Sequence, residues 1–248
     1  MDWQFLSETF VSLISAIPLT LQLAATSIAL GAVLALAIAL CRLSGVIVLE
    51  WFARTYVFVF RGTPLLVQIF LIYYGLGQFP EVRHSIFWPF LREPYWCAVL
   101  ALTMNTAAYA SEIIRGGLLS VPFGQVEAAR ACGMPRFMQF RRIVLPLAIR
   151  QALPAYSNEM ISMVKATSLA SIITLMEVTG VAARIISETY RAIEVFIVAG
   201  AIYLAINFLL TRLVYLVEYW LSPHLRQPVP YHPAAAPASV SALEGDAR

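Results

Sequence analysis

Residues 17–41 contain no charged side chain and are dominated by Leu, Ala and Ile. A helix of roughly 20 apolar residues crosses a hydrocarbon core of about 30 Å. In lipid each backbone polar group must be satisfied within its own segment, so a run of this kind folds as a membrane-crossing helix or not at all. Four further runs meet the requirement: 62–79, 95–114, 148 to about 173, and 193–217. Composition agrees, with 60% hydrophobic residues, 12% charged residues and a mean hydropathy of +0.76. The expected fold is an all-α integral membrane protein with five transmembrane helices over 1–222. The fourth run holds Pro154, Asn158, Glu159 and Lys165, and is expected to break into a helix followed by a re-entrant or interfacial segment over 168–177. Beyond it all, 223–248 carries five prolines among Ala, Ser and Gly and reads as a disordered cytoplasmic tail.

Sixteen of the 17 basic residues are Arg, and the only lysine is Lys165. Their placement is asymmetric. The link between the first two runs has Arg42, Arg54 and Arg61, and the link between the third and fourth has Arg115, Arg130, Arg136, Arg141, Arg142 and Arg150. The opposite links hold only Arg83 and Arg92, then Arg184 and Arg191. The positive-inside bias therefore puts the long third link and the C-terminus in the cytoplasm and the N-terminus outside. Trp88, Tyr95 and Trp96 fall near the outer boundary, where amphipathic rings are favoured. Asp2 and Glu8 with no early Lys or Arg are the reverse of a cleaved signal peptide, so the first apolar segment is expected to be retained.

Several chemistries are absent. No G-x-x-x-x-G-K-[ST] loop surrounds Lys165, so no nucleotide hydrolysis by that motif is expected, and no zincin or nucleophile-elbow motif occurs. Cys41, Cys97 and Cys132 are widely spaced, without a C-x-x-C pair, and read as packing residues rather than as metal ligands or a disulfide framework. His84, His224 and His232 lie outside the spans. A net charge of +3 gives nucleic acid no particular footing.

The cytoplasmic link contains EAARACGMPRFMQFRRIVLP over 127–146. Gln125 to Ala131 is helix-prone and rich in small side chains, and Gly133 ends that helix with positive φ. A second short helix starts near Pro135 and carries Phe137, Met138 and Phe140 beside Arg141 and Arg142. Such a helix at a cytoplasmic surface needs a partner to pack against.

The spacing Glu-Ala-Ala, three residues, Gly, nine residues, Ile, one residue, Leu-Pro resembles the cytoplasmic loop of permease subunits in ATP-binding-cassette importers. RGTPLLVQIFLIYYGL from Arg61 and NTAAYASEIIRGGLLSVPFGQVEAA from Asn105 are similar to the polar amino-acid branch, particularly histidine/arginine-type and opine-type permeases. The resemblance covers about 17–221. It implies a bacterial inner-membrane assembly of two permease subunits, identical or homologous, with two cytoplasmic ATPase subunits and a periplasmic substrate-binding protein. ATP and Mg are then used by the ATPase, and no cofactor or metal is bound by this chain. The resemblance also implies that Glu127, Ala128, Ala129 and Gly133, with Phe137 and Arg141 beside them, dock the ATPase. The substrate class implied is a polar, basic amino acid or an arginine-derived opine. Two alternatives of other classes are a secondary transporter driven by an ion gradient, against which stands the lack of an evident internal repeat, and a membrane-embedded enzyme, for which no catalytic cluster is seen.

An ionisable side chain within a span normally faces a cavity or a partner. Ala155, Glu159, Ser162 and Ala166 form one small and polar helix stripe. Lys165 stands about 240° around the helix from Glu159, so the carboxylate needs a partner from elsewhere. That partner is either a cationic substrate or a donor on a neighbouring helix. Asn158, Ser162, Thr167 and Ser168 are the further pathway candidates, with bonding between helices the rival role for Asn158. In the third run Asn105, Tyr109 and Glu112 share a face, and Arg115 is placed to pair with Glu112. Arg61, Thr63 and Pro64 read as a boundary anchor and helix start.

Overall fold

The computed structural model describes residues 2–221; the tail expected over 223–248, with His224 and His232, lies outside them. Among the described residues the regular structure is entirely helical. Helices α1 (Trp3–Ile14) and α2 (Ile17–Leu43) follow each other closely enough to count as one long apolar segment, Trp3–Leu43. The α3 helix (Ile47–Gly62) is bent by 105° from the next segment, Leu65–Gln78. That segment starts as α4 (Leu65–Phe70) and continues through a π-helical turn, Leu71–Gly75, and a 3₁₀ turn, Leu76–Gln78. Two short helices, α5 (Pro80–Arg83) and α6 (Trp88–Leu91), lead into α7 (Pro94–Leu119). After α8 (Phe123–Ala131) and α9 (Arg136–Gln139) a π turn, Phe140–Val144, runs into α10 (Leu145–Ala166) and a 3₁₀ extension, Thr167–Ile173. A 45° bend separates this from α11 (Val178–Thr189), and α12 (Ala192–Leu221) is the last helix among the described residues.

Among the described residues three helices are long and apolar enough to cross a membrane, or up to five if each bent pair is one span. The five expected runs are recovered, but three of their outlines change. The first gains α1 as an N-terminal extension. The second is preceded by α3, a full helix in what reads as a loop. The fourth is continuous through Ile173, so the break expected from Ser168 falls later, at Thr174 in the left-handed region (φ 65°), and α11 then adds a further helix. Pro154 inside α10 does not end it.

The core is the pair α2 and α7. Ala24, Ser27, Gly31, Ala35 and Ala39 on α2 are all buried, as are Ala98, Leu102, Thr106, Ala107 and Ala110 on α7. Lipid tails are as apolar as leucine, so helices associate in a membrane through close van der Waals fit, and small residues at steps of three and four permit it. Contacts advance together along both helices: Thr26 meets Tyr95 through their hydroxyls at 3.1 Å, and Arg42 meets Glu112 at 2.9 Å. The two therefore run parallel. By the same reasoning α10 is antiparallel to α7, with Glu159 beside Thr106 and Ala148 beside Gly117.

At one end Arg191 joins the α11–α12 corner to the N-terminus. It pairs with Glu194, reaches Asp2 at 3.3 Å and lies 3.9 Å from the centre of the Phe5 ring. Of the three cysteines, Cys97 is buried and Cys41 half-buried, as packing residues should be, whereas Cys132 is exposed just after α8.

Candidate functional site

Two places on the chain gather the polar groups that the sequence singles out. The first is at mid-height of α7. Thr106, near the centre of that helix, donates its hydroxyl to Glu159 Oε1 at 2.8 Å. This is the partner from a neighbouring helix that Glu159 requires, and it is neutral. Among the described residues no cation bridges Glu159, Lys165 included. The Glu159 carboxylate thus remains half-buried, tied at one oxygen and free to take a cation.

The other face of the same site is the break between α3 and α4. A chain interrupted at Gly62, Thr63 and Pro64 leaves carbonyls without helical donors, and in a membrane protein these must be satisfied by neighbours. Gln68 does this: its Nε2 donates to Phe60 O at 2.9 Å, Thr63 O at 3.2 Å and Thr63 Oγ1 at 2.8 Å. Asn105 Nδ2 donates to Gln68 Oε1 at 3.0 Å and to Phe60 O at 3.3 Å. The shared face of Asn105, Tyr109 and Glu112 on α7 is therefore real, and it is turned to the break. Tyr109 lies under the Arg61 guanidinium, 5.0 Å from its ring centre. Glu112 pairs with Arg115 at 2.8 Å, as its spacing predicts, and also with Arg42. Arg61, expected as a boundary anchor, is carried by α3 to the Tyr109 ring on α7.

The remaining pathway candidates divide. Asn158 and Ser162 are exposed on α10, next to Glu159 in sequence. Ser168 is half-buried and donates to Lys165 O at 2.7 Å. Thr167 is fully buried and donates to Val164 O at 2.7 Å, which takes its hydroxyl away from any open surface. It lies instead beside the Tyr203 hydroxyl. There a second buried polar cluster centres on Glu177, which sequence reasoning missed. Glu177 Oε1 accepts from Gly180 N at 2.9 Å, capping α11, while Oε2 accepts from the Tyr203 hydroxyl at 2.7 Å. Glu is not among the favoured N-cap residues, so its identity alone gives little signal for this role.

Gly31 controls the first of these groupings. A Cβ there would overlap the Thr106 Cγ2 methyl; the next atoms are Thr103 O at 3.6 Å and Thr106 Cβ at 3.8 Å, both ordinary contacts. Gly31→Ala is therefore expected to displace Thr106, cost about 1–3 kcal/mol by overpacking and weaken uptake. Adding Thr106→Ser removes the methyl and keeps the hydroxyl, and should restore both thermal stability and uptake. Unequal recovery of the two would separate packing from the Glu159 contact.

The second place is the loop over 127–146. Helix α8 ends at Cys132, and Gly133 follows with φ 71°. Gly133 N donates to Arg130 O at 2.9 Å and Met134 N to Ala129 O at 3.1 Å, the paired closure of a Schellman motif. Pro135 caps α9, and Gln139 folds back to donate to Met134 O at 2.6 Å. The result is a firmly closed elbow whose outer surface presents Glu127, Ala128, Gly133, Phe137 and Arg141, Phe137 being 74% exposed. Ala129 differs from expectation: it is buried against the chain itself.

Known proteins are similar to this chain in sequence and fold. The chain is 64% identical over 225 residues to the octopine transport system permease protein OccM of Rhizobium radiobacter, covering 91% of this chain and 92% of that protein. It is 58% identical over 227 residues to the nopaline transport system permease protein NocM of Agrobacterium fabrum, covering 91% and 94%. A crystal structure of an amino acid ABC transporter with histidines superposes with a TM-score of 0.79 at 37% identity, covering 89% of this chain and 99% of that one. Residues 27–223 match the family described as binding-protein-dependent transport system inner membrane component. The chain belongs to that family, and is a membrane-embedded permease subunit of an ATP-binding-cassette importer.

Proposed function

We propose that this subunit carries a basic amino acid or an arginine-derived opine, with Glu159 receiving its guanidinium or ammonium group. The observation that supports this most is the half-buried carboxylate, held by Thr106 and lacking a cationic partner among the described residues. A carboxylate in a partly dry site prefers a guanidinium, which can bond to it at two points. Asn158 and Ser162 flank it on the exposed side of α10. The relatives named for octopine and nopaline transport point to the same substrate class.

In this reading a second permease subunit completes the pathway, and a periplasmic binding protein delivers the substrate. Two cytoplasmic ATPase subunits bind ATP and Mg and seat the elbow of α8 and α9 against their surface. The N-terminus is periplasmic and the C-terminus cytoplasmic, in keeping with the parallel run of α2 and α7 and the arginine-rich loop at their far end. Closing of the ATPase pair moves the elbow. Because α9, the π turn and α10 are continuous over Arg136–Ile173, that motion reaches Glu159 along one helix.

Vesicles containing the assembled importer and its binding protein should accumulate arginine or octopine only with ATP inside the ATPase compartment. Uptake driven by an ion gradient without the ATPase overturns the reading. Glu159→Gln is expected to lower uptake of cationic substrates about tenfold or more, since a charge-assisted contact contributes about 1.5–3 kcal/mol. Neutral amino acids should be affected far less. Equal loss for both assigns Glu159 to packing alone.

A further inference from the structure

We propose that Arg61 holds a carboxylate of the transported molecule opposite Glu159, and that Arg42 and Arg54 in the same cleft favour ligands with two carboxylates over ligands with one. The inference rests on the reading of Glu159 as the cation site. It adds the other end of the ligand.

An open cleft of about 510 Å³ is lined by Arg42, Arg54, Arg61, Tyr109 and Glu112. Around it four guanidinium groups, with Arg115 included, meet only two carboxylates: Glu112 takes Arg42 and Arg115, and Glu50 takes Arg54. Arg61 is left over. It is exposed, and among the described residues it has the Tyr109 ring and no carboxylate. A cation over a half-buried ring gains only about 0.5–2 kcal/mol, while its like-charged neighbours repel it. An oxyanion in the cleft would relieve that repulsion, and a planar guanidinium grips a carboxylate or phosphate at two points.

Glu159 is not among the residues that line the cleft, but the residue that holds it is close by on α7. Thr106, which holds Glu159, and Tyr109, which carries Arg61, are three residues apart on α7, or about 4.5 Å of rise on neighbouring faces. Arg61 is near enough for its charge to act on Glu159, yet the two are not bridged. Opposite charges held close but separate match a molecule that carries both signs. Basic amino acids carry one carboxylate; opines carry two. The surplus of arginine favours the second class.

The test uses the assembled importer, without its binding protein, in nanodiscs of neutral lipid and in others containing anionic lipid. Octopine, arginine and agmatine bear two, one and no carboxylates with the same guanidinium. The wild type should bind them in that order. Arg61→Gln should weaken octopine and arginine about tenfold and leave agmatine unchanged, with Arg61→Lys falling between. Glu159→Gln should weaken all three. If Arg61→Gln weakens agmatine as much as octopine, or if the wild type ranks all three equally, the carboxylate role is wrong while the Glu159 reading stands. If the Arg61 effect appears only with anionic lipid, the oxyanion is a headgroup phosphate and the proposal fails. No effect of Glu159→Gln on any ligand overturns the reading beneath it.

Discussion

Gly133→Asp is expected to abolish ATP-coupled uptake while the chain still folds and inserts. Gly133 adopts φ 71°, and among the described residues nothing beyond its own chain neighbours lies within 4 Å of a Cβ placed there. The internal cost of the substitution is thus the left-handed conformation alone, about 1–2 kcal/mol for most residues and least for Asn and Asp. Any larger loss must come from a surface outside the chain. If the elbow is seated in the ATPase, an uncompensated carboxylate enters that contact, and a buried unpaired charge costs several kcal/mol. Copurification of the ATPase and its substrate-stimulated turnover should both fall by at least tenfold. Gly133→Asn separates charge from shape, since it accepts the same φ without a charge, and should retain much more coupling. Intact copurification and turnover in the Asp variant would remove Gly133 from the docking surface.

The same loop shows what can be read from a sequence and what cannot. Its closure is local: the glycine, the two following backbone bonds and Pro135 lie within a few residues of one another, so residue order is enough to foresee it. Which side of α8 faces inward is decided by packing from other elements, and there Ala129 was expected on the surface and is buried. The same division holds for the spans. α2 and α12 announce themselves by their apolar length. α3 does not, because Glu50, Arg54 and Arg61 give it the appearance of a charged link, although the Glu50–Arg54 pair at a spacing of four is a helical signature. Ala53 and Val57, at the same spacing, are the face it buries.

The site itself depends on pairings remote in sequence. That Glu159 needs a partner follows from its place in a span; that the partner is Thr106, 53 residues away, does not. Arg42 and Glu112 are farther apart still in the chain and meet at 2.9 Å. Arg61 is the sharpest case. Its place at the start of an apolar run reads as an interfacial anchor, and only the packing of α3 along α7 brings it beside Tyr109. A broken helix at membrane depth is tolerated where protein satisfies its backbone, and Gln68 and Asn105 are the residues that do so.

Glu177→Ala is expected to be the most damaging single truncation away from that site. Glu177 is completely buried at the bend between the 3₁₀ extension of α10 and the start of α11. Its two oxygens serve different elements, one capping α11 through Gly180 N and the other receiving the Tyr203 hydroxyl from α12. Next to it Val178 N donates to Thr20 Oγ1 of α2 at 3.2 Å, and Thr179 shares a hydroxyl contact with Tyr203 at 3.1 Å. Removing the carboxylate strands the Gly180 N–H in a buried space, at about 1–3 kcal/mol, and leaves the Tyr203 hydroxyl to Thr179 in place of a charged acceptor. The thermal midpoint of the assembled importer should drop clearly, with uptake lost in parallel because α10 is no longer anchored beyond its bend. Glu177→Gln keeps a carbonyl for one donor and should fall between Ala and wild type. Tyr203→Phe removes one hydroxyl and leaves the α11 cap in place, so it should cost less than Glu177→Ala. If the alanine variant matches wild type in both midpoint and uptake, the bend is held by the apolar contacts of Val178, Val181 and Val195 instead, and the buried carboxylate has no part in fixing it.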